Sequence, residues 1–193
     1  MSFTRFPDLK EYALNYLAKY SSTENHLIRI LNNKVKRWVF VVKKEGLSDK
    51  EIEDYLARVP FLISQIVFSM KSVGAIDDAQ FAMNRVRTLT RSGNSIQKIK
   101  GKLAQRGVPS SIIEEVTLSF REKDTELWAA LVFAKKRRIG PFRRDDTALM
   151  AENSHKAWHV MSRGGFSFEI VKQVMGMDLG EAEEKMNELQ ASV

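Results

Sequence analysis

The sequence predicts an all-α fold: three tandem three-helix repeat modules in an elongated, curved arrangement. Apolar residues recur with the period of amphipathic helices through most of the 193 residues. Only 4 prolines and 10 glycines are present, so long helices can continue without interruption. A unit of three helices also recurs along the chain. One such unit buries little apolar surface alone, whereas stacked units share a core and form an elongated body.

The middle unit shows the pattern most clearly. Asp77 and Gln80 form an N-cap box before its first helix, and Gly93 ends that helix, because glycine readily adopts the left-handed conformation. Gly107 ends the second helix, and Pro109 begins the third. The residues expected to face inward are Phe81, Ala82, Val86 and Leu89 in the first helix, Ile96, Ile99 and Leu103 in the second, and Ile112, Ile113 and Val116 in the third.

The first helix of this unit has two further copies. Each copy holds an aromatic residue, then alanine, then an apolar residue four positions after the alanine. The three copies begin at Tyr12-Ala13, Phe81-Ala82 and Trp128-Ala129. The predicted modules are residues 8–75, 76–122 and 123–176, followed by an acidic helix or frayed tail over residues 177–193.

The first module contains additional residues at 34–58 that look like an insertion. We expect its second helix to continue to about Lys44 and to stop at Gly46. A short strand over Trp38–Val42 is the alternative, although a lone strand needs a partner. The remaining signals are a Ser48–Glu51 capping box and a helix restart at Pro60.

The positive charge is unevenly distributed. The net charge is +7, yet residues 178–193 hold five acids and one base, and no acid lies between Asp78 and Glu114. A basic block without balancing acids indicates a polyanionic partner or an acidic protein groove, and a solvated helix face is the alternative. The candidate contact residues are Arg85, Arg87, Arg91, Lys98, Lys100, Lys102, Arg106, Lys135, Lys136, Arg137, Arg138, Arg143 and Arg144.

The usual signals of catalysis or cofactor binding are absent from the sequence. The chain has no cysteine, no phosphate-binding loop and no nucleophile elbow, so we expect neither an enzyme nor a cofactor. His155 and His159 share a helix face, but Lys156 stands where a zinc protease would need glutamate, so we predict no metal site. No signal peptide or membrane-length apolar run is visible, and we expect a soluble cytoplasmic protein.

The chain resembles the RecX family over roughly residues 9–176. The motifs that carry this resemblance are Ala13-Leu14-Asn15-Tyr16-Leu17-Ala18, Ile76-Asp77-Asp78, Phe81-Ala82, Val86-Arg87, Gly93, Ile96 with Ile99 and Leu103, Arg106-Gly107-Val108, Lys135-Lys136-Arg137, and Arg163-Gly164-Gly165-Phe166-Ser167 with Ile170. The chain departs from the family in the 34–58 region, and in having Lys98, Lys100 and Lys102 where arginine is common.

The resemblance implies a partner and a role. It implies a monomeric helical-repeat protein that lies in the groove of the RecA–DNA filament, and that limits filament growth or promotes disassembly. Such a protein would restrain strand exchange and coprotease activity in DNA repair, recombination and the SOS response. Contacts to single- or double-stranded DNA would accompany binding to RecA. Two alternatives stay open: a nucleic-acid-binding helical module that acts without RecA, and an enzyme whose acids are scattered in sequence.

Overall fold

The computed structural model describes residues 3–118, 120, 123–143 and 150–190. Every regular element within these ranges is helical, so the predicted all-α fold is confirmed. The chain divides into two compact units. Unit 1 consists of Met1–Phe81 and Arg106–Val108, and unit 2 consists of Ala82–Gln105 and Pro109–Val193. The boundaries of the three sequence modules stay a prediction.

The helices follow one another along the chain. In chain order they are α1 (Leu9–Leu17), α2 (Glu24–Glu45), α3 (Asp49–Leu56), α4 (Val59–Ser72), α5 (Asp78–Arg91), α6 (Ile96–Gln105), α7 (Ser110–Leu118), α8 (Lys123–Arg137), α9 (Met150–Arg163), α10 (Phe168–Gly176) and α11 (Leu179–Gln190). A 3₁₀ turn, Gly140–Phe142, follows α8.

The longest described helix, α2, includes the segment for which a strand was an alternative. Its hydroxyl cap, Thr23, accepts from the His26 backbone N–H, and Gly46 ends it with a left-handed φ of 91°. The strand over Trp38–Val42 is wrong, because the buried positions recur every three or four residues rather than every two. Those buried positions are Leu27, Leu31, Val35, Trp38 and Val42.

Unit 1 packs α1, α2 and α4 around one apolar cluster. A smaller cluster of Trp38, Val42 and Ile52 joins the end of α2 to α3. The predicted Ser48–Glu51 capping box is confirmed, and Pro60 stands in the first turn of α4, where its missing N–H costs no helical hydrogen bond.

Unit 2 has its core around α8, on which α10 and α11 pack. Ala182 and Leu189 of α11 are buried in this core, so the C-terminal segment is a helix and the frayed-tail alternative is wrong for residues 179–190. Trp128 and Trp158 are partly buried against the same core.

The alanine of the repeated motif is buried in all three copies. Ala13, Ala82 and Ala129 are at most 2% exposed, whereas the aromatic residue before each alanine is only partly buried. Phe81 was therefore wrongly expected to point fully inward, because Ala82 faces the core and its neighbour lies about 100° around the helix. Ile96 and Ile112, also expected inward, are likewise only partly buried.

Candidate binding surface for an anionic partner

The turn between α5 and α6, residues 92–94, packs closely on α8. Gly93 has a φ of 84°, and a Cβ at this position would lie 2.9 Å from the backbone nitrogen of Phe133. The Asn94 side-chain amide donates to the Leu89 carbonyl and to the Ser92 hydroxyl, which holds the turn in shape. Glycine is therefore required both by the backbone conformation and by the close approach of the helix.

Two cations lie over one aromatic ring beside this turn. Lys98 of α6 places its Nζ 5.5 Å from the Phe133 ring centroid, and Arg137 of α8 places its Cζ 5.4 Å from the same centroid. Both cations are exposed and the ring is half-buried. The ring attracts cations through its quadrupole, and so offsets part of their mutual repulsion while their N–H groups stay available to a partner.

Two further lysines reach the turn itself. Lys136 donates to the Ser92 carbonyl at 2.9 Å, and Lys102 donates to the Asn94 side-chain oxygen at 2.6 Å. Through these contacts the structure brings together four of the predicted basic residues, which are far apart in sequence. We call this set the Phe133 cluster: Lys98, Lys102, Phe133, Lys136 and Arg137.

Two predicted lysines have acidic partners instead. Lys100 is partly buried and donates to both carboxylate oxygens of Glu114 at 2.6 Å. Lys135 lies 3.9 Å from Glu183 of α11, so the acidic C-terminal helix partly neutralises the basic end of α8. Both lysines therefore contribute less positive charge to the surface than the sequence suggested.

The remaining arginines of unit 2 occupy other positions. Arg85, Arg87 and Arg91 are exposed on α5, and no described contact joins Arg85 or Arg87 to the Phe133 cluster. Arg138 has a left-handed φ of 54° just after α8, and Arg143 is exposed after the 3₁₀ turn. Arg144 lies outside the described residues.

Arg106 follows the end of α6 and belongs to unit 1. Its carbonyl accepts from the Thr23 hydroxyl at 2.6 Å, and its charge lies close enough to His26 to affect that imidazole. Because α6 ends at Gln105, Arg106 does not continue the helix that carries Lys98 and Lys102. Arg106 thus adds its charge beside α2.

The surroundings of His26 favour its neutral form. Burial lowers its pKa, and the nearby charges of Arg29 and Arg106 lower the pKa further. Arg29 donates to Nδ1 at 2.6 Å, and the Tyr16 hydroxyl lies 3.1 Å from Nε2. Protonation of Nδ1 would break the bond from Arg29 and bring a third cation to this corner.

Phe133 and Asn94 were missed by reasoning from the sequence. Both organise cations, yet neither is charged. The available signal was the spacing of Phe133 and Arg137, four residues apart, which places them on one face of a helix. Asn94 follows a helix-ending glycine, a position whose side chain commonly bonds to the local backbone.

The arrangement can bind anions. Its ammonium and guanidinium groups donate to phosphate or carboxylate oxygens. Within the part of the chain that the structure describes, no group of three or more His, Asp or Glu side chains could hold a metal ion, and no helix is long and apolar enough to cross a membrane. His155 and His159 are exposed.

Comparison with known proteins identifies the family. A family model described as RecX, second three-helix domain, matches residues 77–116. The chain is 32% identical over 167 residues to a protein named Regulatory protein RecX from Myxococcus xanthus, which covers 86% of this chain and 83% of that protein. The chain belongs to the RecX family. A Regulatory protein RecX from Agrobacterium fabrum is 36% identical over 116 residues, 60% of each chain.

Solved RecX structures share the fold. The crystal structure of RecX from Lactobacillus salivarius superposes with a TM-score of 0.58 at 19% identity, and covers 93% of this chain and 94% of that one. A second crystal structure, of regulatory protein RecX, gives a TM-score of 0.61 at 19% identity, with 92% and 83% covered. The RecX family match at residues 77–116 includes Lys98 and Lys102, whereas Phe133 and Arg137 lie beyond it.

Proposed function

We propose that this chain binds the RecA–DNA filament and inhibits the recombinase and its ATP hydrolysis. The observation that carries the proposal is the Phe133 cluster, in which exposed cations from α6 and α8 gather around one ring. Membership of a family of regulatory proteins supports a binding role rather than catalysis. The same proposal assigns the chain to the cytoplasm, where the filament forms.

The mechanism is a shift in a binding equilibrium. A regulator changes the filament only by binding one of its states more tightly than another. Cations of the Phe133 cluster would meet acidic side chains or phosphates exposed in the filament groove. Because Lys98 and Arg137 are exposed, their attraction to the filament is screened by salt, and binding should weaken as ionic strength rises.

The test is RecA ATP hydrolysis on single-stranded DNA, with the protein titrated in below one copy per RecA. We expect hydrolysis to fall at these low ratios, because a protein that caps or dismantles a filament silences many RecA subunits at once. Simple competition for DNA would require near-stoichiometric amounts. Unchanged hydrolysis, in buffer where the protein binds DNA, would contradict the proposal and favour a DNA-binding module that acts without RecA.

A charge-reversal pair tests the Phe133 cluster. Lys98→Glu with Arg137→Glu should raise the concentration needed for half-inhibition by at least about tenfold, which corresponds to about 1.4 kcal/mol. The matched control is Lys10→Glu with Lys172→Glu, which changes the net charge equally at exposed positions of α1 and α10. Equal loss in both pairs would mean that overall charge, and not this cluster, determines binding.

A further inference from the structure

The helix α2 carries cations along most of its length and no acid between Asn25 and Lys44. Two of its cations have partners at the sides of the helix. Lys34 lies 5.0 Å above the Tyr12 ring, and Lys43 pairs with Asp49 at 2.9 Å. These two cations are thus engaged by α1 and α3, respectively.

The solvent-facing side of α2 lies directly opposite its buried stripe. Because successive residues lie 100° apart around the helix, the residues of this side share one face. They extend over about 22 Å along the helix axis. Among the residues that the structure describes, none forms an ion pair or hydrogen bond with the side chains of Lys36 or Arg37. We call this surface the outer face of α2; its members, all exposed, are Arg29, Asn33, Lys36, Arg37, Phe40 and Lys44.

An aromatic ring stands among these cations. Phe40 is 62% exposed, although exposing an aromatic ring to water is unfavourable. Lys44 holds its Nζ 4.3 Å from the ring centroid. The ring makes no contribution to the apolar clusters of unit 1, so neither helix packing nor core burial explains a phenylalanine at this position.

The positive surface extends beyond the first turns of α2. Arg29 bonds to His26, and Arg106 lies near the same imidazole. The segment that carries Arg106 is fixed to α2, because the Asn25 amide donates to the Gly107 carbonyl at 2.7 Å. The outer face of α2 and Arg106 therefore form one basic surface of unit 1.

We infer that the outer face of α2 binds single-stranded nucleic acid directly. Its cations recur along one side of the helix and can contact phosphates of a strand, and such contacts need no particular sequence. Phe40 can stack on a base, which is possible only where the base is free of its duplex neighbours. A basic helix face with a central exposed ring thus fits a single strand better than a duplex.

This inference stands apart from the RecA proposal, because it uses other residues and requires no RecA. It also gives the residues at 34–58 a role, since Lys36, Arg37, Phe40 and Lys44 all belong to that additional region. An assay that contains only this chain and an oligonucleotide can fail without affecting the result of the ATP hydrolysis assay, and the reverse also holds.

The test is fluorescence anisotropy with the full chain and a labelled oligothymidine of about 20 nucleotides, longer than most single-strand sites. Lys36→Glu with Arg37→Glu should weaken binding at least about tenfold and lower the slope of log affinity against log salt by about 1.4, since each phosphate contact contributes about 0.7. The Lys10→Glu, Lys172→Glu pair is the charge-matched control.

A second variant tests the ring. Phe40→Ala should weaken binding at least about fivefold, the lower limit for one stacked base. The control is Phe61→Ala on α4, where the ring is 68% exposed and no stacking role is proposed. All substituted side chains are exposed, so circular dichroism melting should match the parent protein.

Three outcomes would overturn the inference. Parent-like oligonucleotide binding by the Lys36→Glu, Arg37→Glu pair would exclude the phosphate contacts. Equal effects of Phe40→Ala and Phe61→Ala would exclude the stacked base. Binding to phosphatidylserine vesicles without binding to oligothymidine would assign the face to an anionic membrane surface instead.

Discussion

At the scale of single residues, Gly93 shows how one position can determine the shape of a surface. Gly93→Ala should destabilise the protein by at least about 2 kcal/mol, because alanine disfavours the left-handed backbone and its Cβ would collide with α8. Gly46→Ala is the matched control, since its φ is also positive but nothing lies within 4 Å of the added carbon.

Chemical denaturation measures both variants. The free energy of unfolding of the Gly46→Ala control should fall by only about 1 kcal/mol, the cost of the left-handed backbone conformation for alanine. Equal losses in the two proteins would show that the turn at residues 92–94 relaxes away from α8 without cost. In that case the close packing would not be what positions Lys136 and Lys102 at the turn.

His26 makes stability depend on pH. Its folded-state pKa is lowered, so between that pKa and the ordinary value the unfolded chain binds more protons. Stability should therefore fall as pH decreases through this window, and should be fully retained above the ordinary pKa. We expect melting at about pH 5.5 to occur at a lower temperature than at about pH 7.5.

His26→Gln isolates this effect. The variant removes the titrating ring, so the difference in melting temperature between the two pH values should shrink. An undiminished pH dependence in the variant would assign the effect to carboxylates.

At the scale of elements, α11 is acidic outside and apolar inside. Leu189→Ala should destabilise the protein by about 2–5 kcal/mol, because the side chain is 5% exposed within the core of unit 2. Leu179→Ala on the same helix is the control, since that side chain is 51% exposed. Similar thermal melting of the two variants would mean that α11 contributes little to the core.

Helix ends were the most predictable elements. Gly46 and the Ser48–Glu51 box act locally, through backbone conformation and hydrogen bonds that span three or four residues. Which face of a helix is buried depends on residues that are distant in sequence. Phe81 and Ala82 differ by one position, and only the packing of neighbouring helices decides which of them is buried.

The sequence allowed us to predict which basic residues could belong to the candidate site, but not which of them lie together in the structure. The shared surface of Lys98 and Arg137 depends on α6 meeting α8, a contact between residues 39 positions apart in sequence. In the sequence, Lys100 was a candidate contact residue like Lys98 and Lys102, whereas the structure shows that it pairs with Glu114. The outer face of α2 was missed because the segment was interpreted as an insertion, although the absence of acids from Asn25 to Lys44 was a readable signal.

At the scale of the whole molecule, the net charge of +7 combines an acidic C-terminal segment with a strongly basic remainder of the chain. The acids of α11 lie close enough to α8 for Glu183 to pair with Lys135. Two groups of exposed cations carry the two proposals: the Phe133 cluster of unit 2 and the outer face of α2 in unit 1. Two sets with different side chains can be altered independently, which makes the RecA and nucleic-acid proposals separable by experiment.

The hydrogen bonds from Thr23 and Asn25 to the carbonyls of Arg106 and Gly107 join positions more than 80 residues apart. During synthesis the first four helices leave the ribosome long before these acceptors do. Until the chain after α6 emerges, the Thr23 hydroxyl and the Asn25 amide can therefore donate only to water. Closing so long a loop is slow, so completion of unit 1 should come late in biogenesis.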